Sequence, residues 1–166
     1  MDATRLLSSL AGTLGRTARR ARGGANLATT AISSHDDGAE APPRLDLAGV
    51  DDDEALLLVR TMIAAAAADG VVDGSERERI HDAMRDSGLD PADRAFLDEE
   101  ISWPRDIEEI ADAVGTPEKA ARTYAAARLV IEPDTMQERE FLRLLAERMD
   151  LQAGEVAAIE ERFGGK

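Results

Sequence analysis

Residues 58–78 read L-V-R-T-M-I-A-A-A-A-A-D-G-V-V-D-G-S-E-R-E. The first eleven are Leu, Val, Met, Ile and Ala, interrupted only by Arg60 and Thr61. Alanine and leucine head the helix-propensity ranking, and the run shows no strand-like alternation. It therefore predicts a helix over 53–69, with Leu56, Val59, Ile63 and Ala67 on one face. Asp69-Gly70 ends it and Gly74-Ser75 starts another, which Gly88 closes. Sixty-two residues on, the pattern returns: Arg60-Thr61 matches Arg122-Thr123, Ala64-Ala65 matches Ala126-Ala127, and Glu76-Arg77-Glu78 matches Glu138-Arg139-Glu140. Leu89 matches Leu151, and Glu99 matches Glu161. Each copy reads as long helix, loop, helix, loop, helix. One such triplet cannot bury its apolar stripe alone, and two packed together can.

Downstream, Asp90-Pro91 and Thr116-Pro117 each place a capping side chain before a proline at the first helical position. The helices expected are 91–102, 107–114, 117–131, 135–149 and 153–163, with Trp103-Pro104 and Glu132-Pro133 as breaks and no hairpin signal. The fold class is all-α, a compact bundle of about seven helices in two pseudo-repeated halves. Aromatics are only 3% of the chain, so Leu, Ile, Val, Met and Ala must build the core. Tyr124 and Trp103 are expected to pack, Trp103 anchoring the turn before Pro104.

Upstream, residues 1–50 read as a basic, partly amphipathic tail and a polar, Pro-containing linker, largely disordered, with the acidic helical domain at 51–166. Within 3–22, Leu7, Leu10, Ala11, Leu14 and Ala18 recur at helical steps and Arg16, Arg19, Arg20 and Arg22 cluster late. This is the pattern of a helix for an anionic membrane surface, of an Arg-rich targeting peptide, or of a solubilising tail. Gly23-Gly24 ends it.

Residues 1–50 hold six arginines and five acids, and the rest holds 14 basic and 29 acidic residues. So acidic a domain repels phosphates, which argues against nucleic acid and for cations, basic proteins or its own tail. Absence of cysteine excludes disulfides, thiolate metal sites and Cys nucleophiles. The most apolar stretch, 55–68, is too short and too interrupted to span a bilayer. A cytoplasmic location is expected, peripheral to the inner face of the membrane if the tail binds lipid.

The chemically distinctive segment is the corner between the first two helices, where Asp69, Asp73 and Glu76 surround Gly70 and Gly74. Three carboxylates on a glycine-bent loop suit a divalent cation such as Ca²⁺, Mg²⁺ or Mn²⁺. Asp69 at a helix C-terminus is also unfavourable unless something positive lies beside it. Capping explains much of the same pattern: Gly70 as C-cap, Asp73 as N-cap, Glu76 closing a capping box. The loop is not an EF-hand, having Val71 and Ile80 at the third and twelfth positions. In the second copy Ile131 and Thr135 replace Asp69 and Asp73, so Thr135 and Glu138 can form a box without the full carboxylate set.

Catalysis has no specific support. His81 is the domain's one histidine, and no G-x-S-x-G, Walker A, G-x-G-x-x-G or H-E-x-x-H occurs. A metal-dependent hydrolase would need open coordination over Asp69.

The run L-V-R-T-M-I-A-A-A-A-A-D-G-V-V-D-G-S-E-R-E-R-I resembles the opening of TerB-like domains, named for tellurite resistance. The runs L-D-P-A-D-R-A-F-L-D-E-E, T-P-E-K-A-A-R-T-Y-A-A-A-R-L-V-I and Q-E-R-E-F-L-R-L-L-A are similar to the YebE-type branch, of unknown function, over residues 54–163. The resemblance implies a two-half helical fold, an acidic metal-binding loop at Asp69, Asp73 and Glu76, and a loose association with envelope or metal stress. YebE-type proteins often carry a glycine-rich apolar segment before the domain, whereas this tail is arginine-rich. The expectation is a non-enzymatic binding or scaffold module with a protein partner or self-association, or else a peripheral membrane adaptor.

Overall fold

Side-chain caps start most of the described helices, and the computed structural model describes residues 3–8, 10–11, 45–68 and 90–163. No strand occurs among them. The helices are α1 (helical at residues 3–8 and 10–11), α2 (Asp52–Ala66), α3 (Pro91–Ser102), α4 (Ile107–Ala113), α5 (Pro117–Val130), α6 (Met136–Arg148) and α7 (Ala153–Phe163).

The helix starts follow side-chain chemistry. Asp51 accepts from Glu54 N at the head of α2, Asp90 accepts from Ala92 N and Asp93 N before Pro91, and Thr116 accepts from Lys119 N before Pro117. Thr135 and Glu138 form the expected reciprocal box. Asp106 and Glu109 form a second box on α4 that the sequence reading missed. In each case an oxygen satisfies N–H groups that the first turn leaves without helical partners.

α2 and α5, the two copies of the repeat's first helix, form the most extensive helix pair. Both are buried nearly all round. The single inward stripe expected on α2 is therefore corrected: Ala55, Leu57, Leu58, Val59, Met62, Ile63, Ala64 and Ala65 are buried, and Leu56 and Ala67 are only half-buried. A helix enclosed on all sides loses the amphipathic signature of a surface helix. Ala64, Ala65, Ala125, Ala126 and Ala127, all buried, provide small side chains along this pair. Thr61 and Thr123, equivalent by the repeat, are both fully enclosed; Thr61 Oγ1 donates to its own helix at Leu57 O, 2.8 Å away.

Two core clusters flank the central pair. One joins α1, α2 and α3 with Ala126 of α5; the other joins α2 and α5 to α4, α6 and α7. The repeat is visible in them: Leu97 of α3 and Ile159 of α7, 62 apart, fill corresponding core positions. An arginine from the central pair braces each of α3 and α7. Arg60 of α2 bonds Glu100 (2.8 Å) and lies over Phe96 (5.6 Å) on α3; Arg128 of α5 bonds Glu160 (2.9 Å) and lies over Phe163 (5.9 Å) on α7.

The N-terminal region departs from expectation where it is described. Ala3, Leu6, Leu7 and Leu10 of α1 are at most 3% exposed. Leu45, Leu47 and Val50 also pack on the core, and Arg122 Nη1 donates to Ala48 O at 3.2 Å. These apolar residues find partners far along the chain, which a local reading of a polar tail cannot register. Trp103 is corrected too: it is 81% exposed and anchors nothing. Tyr124 packs as expected, at 4% exposure.

Candidate functional site

α2 stops at Ala66, three residues short of the expected end, and its last turn has no basic residue. Asp69, Asp73, Glu76, His81 and the helix expected over 74–88 lie outside the described residues. No group of three or more potential metal ligands occurs among the described residues.

The second-copy loop is described, and its bonds are those of capping. Glu138 N donates to Thr135 Oγ1 (3.1 Å), and Thr135 N donates to Glu138 Oε2 (2.9 Å). Arg139 Nη1 donates to Pro133 O (3.0 Å) and Asp134 O (2.9 Å). A guanidinium here gathers loop carbonyls as a bound cation could. Its counterpart in the first copy is Arg77.

Just before the first loop, the surface opens into a cleft of about 540 Å³. Its floor is Ala64, Ala67 and Ala68 from α2 with Phe141 and Leu144 from α6; Pro104–Glu108 and Arg148 form the rim. The alanines make room that larger side chains would fill. Arg148 Nη2 and Glu108 Oε1 meet across the rim at 2.7 Å, both more than half exposed, so the pair contributes little to stability. Arg105 reaches Glu100 (3.4 Å) and Glu109 (3.2 Å). Trp103 stands immediately before Pro104 of the rim. Proline after it, and the 3.0 Å bond from Trp103 N to Glu99 O, fix where the indole leaves α3.

A smaller groove of about 250 Å³ runs between α2 and α4. In it the buried Glu54 carboxylate meets Arg122 Nε at 2.7 Å and Lys119 Nζ at 3.9 Å. The Arg122 N–H is not aimed at the oxygen, so this close contact is a charge pair without an aligned hydrogen bond. Glu100 is buried and gripped by Arg60 and Arg105.

Between α5 and α7, Tyr124 Oη donates to Glu160 Oε1 at 2.8 Å, and Arg128 Nε donates to Glu160 Oε2 at 2.9 Å. Arg128 Nη1 also donates to Ile131 O at 2.6 Å, closing the end of α5. Burial first, and then the Glu160 carboxylate, push the Tyr124 phenol well above its ordinary pKa. Sequence reasoning missed this network, because Tyr124 and Glu160 carry no signature of meeting.

Comparison with known proteins agrees with this extent of the fold. The chain belongs to the family described as "Protein of unknown function (DUF533)", whose model matches residues 3–163. It is 27% identical over 94 residues to a protein of Yersinia enterocolitica described as "Uncharacterized protein in ampR 5'region", covering 57% of this chain and 68% of that protein. No solved structure matches.

Proposed function

We propose that this family member is a non-enzymatic protein-binding module of TerB-like, YebE-type kind, with its contact surface at the cleft below α2. The observation that carries this reading is the exposed Trp103, next in sequence to Pro104, which lines a cavity with Ala64, Ala67, Ala68, Phe141 and Leu144. Exposed aromatics next to apolar pockets are typical anchors of protein interfaces, where tryptophan is enriched among energetically dominant residues. A divalent cation held by Asp69, Asp73 and Glu76, in the segment that follows Ala68 in sequence, would tie partner binding to metal supply.

Two measurements test this. A photo-crosslinking residue in place of Trp103 should trap one predominant partner or a second copy in cells, and Ala67→Arg should abolish the product without changing the circular dichroism spectrum. Crosslinking no more selective than from the exposed Glu161 would end the docking reading. For the cation, calorimetric titration with Ca²⁺, Mg²⁺ and Mn²⁺ should give heats that Asp73→Asn removes. Negligible heats for both proteins would instead favour Arg77 in the role that Arg139 plays in the second loop.

A second reading, a peripheral membrane adaptor at the inner face, draws on α1. Its apolar residues Ala3, Leu6, Leu7 and Leu10 share one face, with Arg5 and Ser8 exposed opposite. The arginines that follow suit an anionic surface. No described helix is long and apolar enough to cross a membrane, so attachment by this route would be along the surface.

A further inference from the structure

The face of α1 that suits a membrane is already in use. Ala3, Leu6, Leu7 and Leu10 share a core cluster with Leu58, Val59 and Met62 of α2 and with Leu97 and Ile101 of α3. One apolar face cannot lie in lipid and in this cluster together. Isolated amphipathic helices draw most of their stability from packing their apolar face, so α1 needs some apolar surface to lie on.

Charge acts in the same direction in both settings. Residues 1–22 contain five arginines and one acid, whereas residues 51–166 carry 14 basic and 29 acidic side chains. The seat attracts the segment, and so does an anionic bilayer. At the exposed rim of the docked helix Thr4 Oγ1 donates to Asp52 Oδ1 at 3.4 Å, and Arg5 contributes to holding down the carboxyl of Asp90 at the head of α3.

We infer that α1 is an exchangeable latch: an anionic lipid surface and the α2–α3 seat compete for the same four apolar side chains, so attachment to the membrane uncovers the seat. The inference rests on the membrane reading above. It makes membrane contact a switch, because Leu58, Val59, Met62 and Leu97 become available only when α1 leaves.

The Thr4–Asp52 contact supplies the test. The full chain lacks cysteine, so Thr4→Cys with Asp52→Cys can form only one intramolecular disulfide, and Asp51 remains to cap α2. Co-sedimentation is measured with equimolar phosphatidylglycerol–phosphatidylcholine vesicles, oxidised and reduced. Wild type and the reduced variant should sediment with the vesicles. The oxidised variant should lose about tenfold or more of its binding, as expected when the binding-competent state is closed off. Equal binding by both redox forms overturns the latch and leaves the membrane reading standing. No binding by wild type or either form overturns both. Failure of the disulfide to form under mild oxidant, together with an unchanged denaturant midpoint for Leu7→Ala, removes the docked α1 on which the inference stands.

Discussion

Asp150 is the one non-glycine residue with positive φ among the described residues, at 54°. It follows Met149, the C-cap of α6. Asp150 N donates to Glu147 O (3.2 Å) and Leu151 N to Ala146 O (3.0 Å), the paired bonds of a Schellman motif. Its counterpart in the first copy is Gly88, the residue such a position favours. Asp150→Gly should raise stability by about 0.5 kcal/mol, the relief of strain being partly offset by glycine's freedom in the unfolded chain. Asp150→Val should lower it by about 1–2 kcal/mol. Urea melts of both variants check the pair, and equal midpoints would mean that this helix end is not held in the left-handed region. Tyr124, the chain's sole tyrosine, allows a second test. Its folded pKa is raised, by burial first and the Glu160 carboxylate next. Its stabilising contribution is therefore intact below the unfolded pKa of about 10 and is lost as pH rises beyond it. Tyrosinate absorbance should appear together with alkaline unfolding rather than in a separate step at about pH 10. Tyr124→Phe should cost about 1–2 kcal/mol at neutral pH, chiefly through the lost buried bond.

At the scale of helices, capping was the most legible feature, because a cap is written in four adjacent residues. Asp90-Pro91, Thr116-Pro117 and the Thr135–Glu138 box lie where the sequence places them. Thr135→Ala should cost about 1 kcal/mol, speed hydrogen exchange in the first turn of α6, and be rescued by Thr135→Asp. The caps also give the fold an acid limit. Backbone N–H donors hold the carboxyls of Asp51 and Asp90 below their ordinary range; Lys119 assists at Asp51 and Arg5 at Asp90. With folded values depressed, these groups stabilise above about pH 4 and lose that contribution as pH falls through the folded values. Asparagine caps without ionising, so Asp51→Asn with Asp90→Asn should flatten the stability profile below about pH 4 and leave the melt at pH 7 nearly unchanged. What escaped the sequence was orientation. The central α2 buries nearly its whole circumference, and nothing in a single helix states that it will be enclosed. The exposure of Trp103 went unread for the opposite reason: an aromatic beside a proline looks the same whether it anchors a turn or projects from it. The carboxylates of the proposed cation loop were identifiable by composition, but whether they converge depends on loop geometry that no spacing rule encodes.

For the molecule as a whole, the decisive question is where the domain begins. A tail merely tethered to residues 51–166 could lose its leucines at no thermodynamic cost. The structure instead gives Leu7 no exposed surface and places it in the cluster that includes Met62 and Leu97, and the family match likewise starts at residue 3. The contact spans more than forty residues of sequence, so its closure opposes folding, but that cost grows only slowly with loop length. Apolar burial decides the balance. Leu7→Ala should therefore cost about 2–4 kcal/mol, the range for an enclosed leucine that leaves a cavity. Ser8→Ala, on the exposed side of the same helix, should stay within about 0.5 kcal/mol. Denaturant midpoints for the two variants, measured without lipid, give the comparison directly. Equal midpoints would return residues 3–11 to the status of a tail and leave the domain to start at Leu45, whereas a drop confined to Leu7→Ala makes the first helix part of the folding unit.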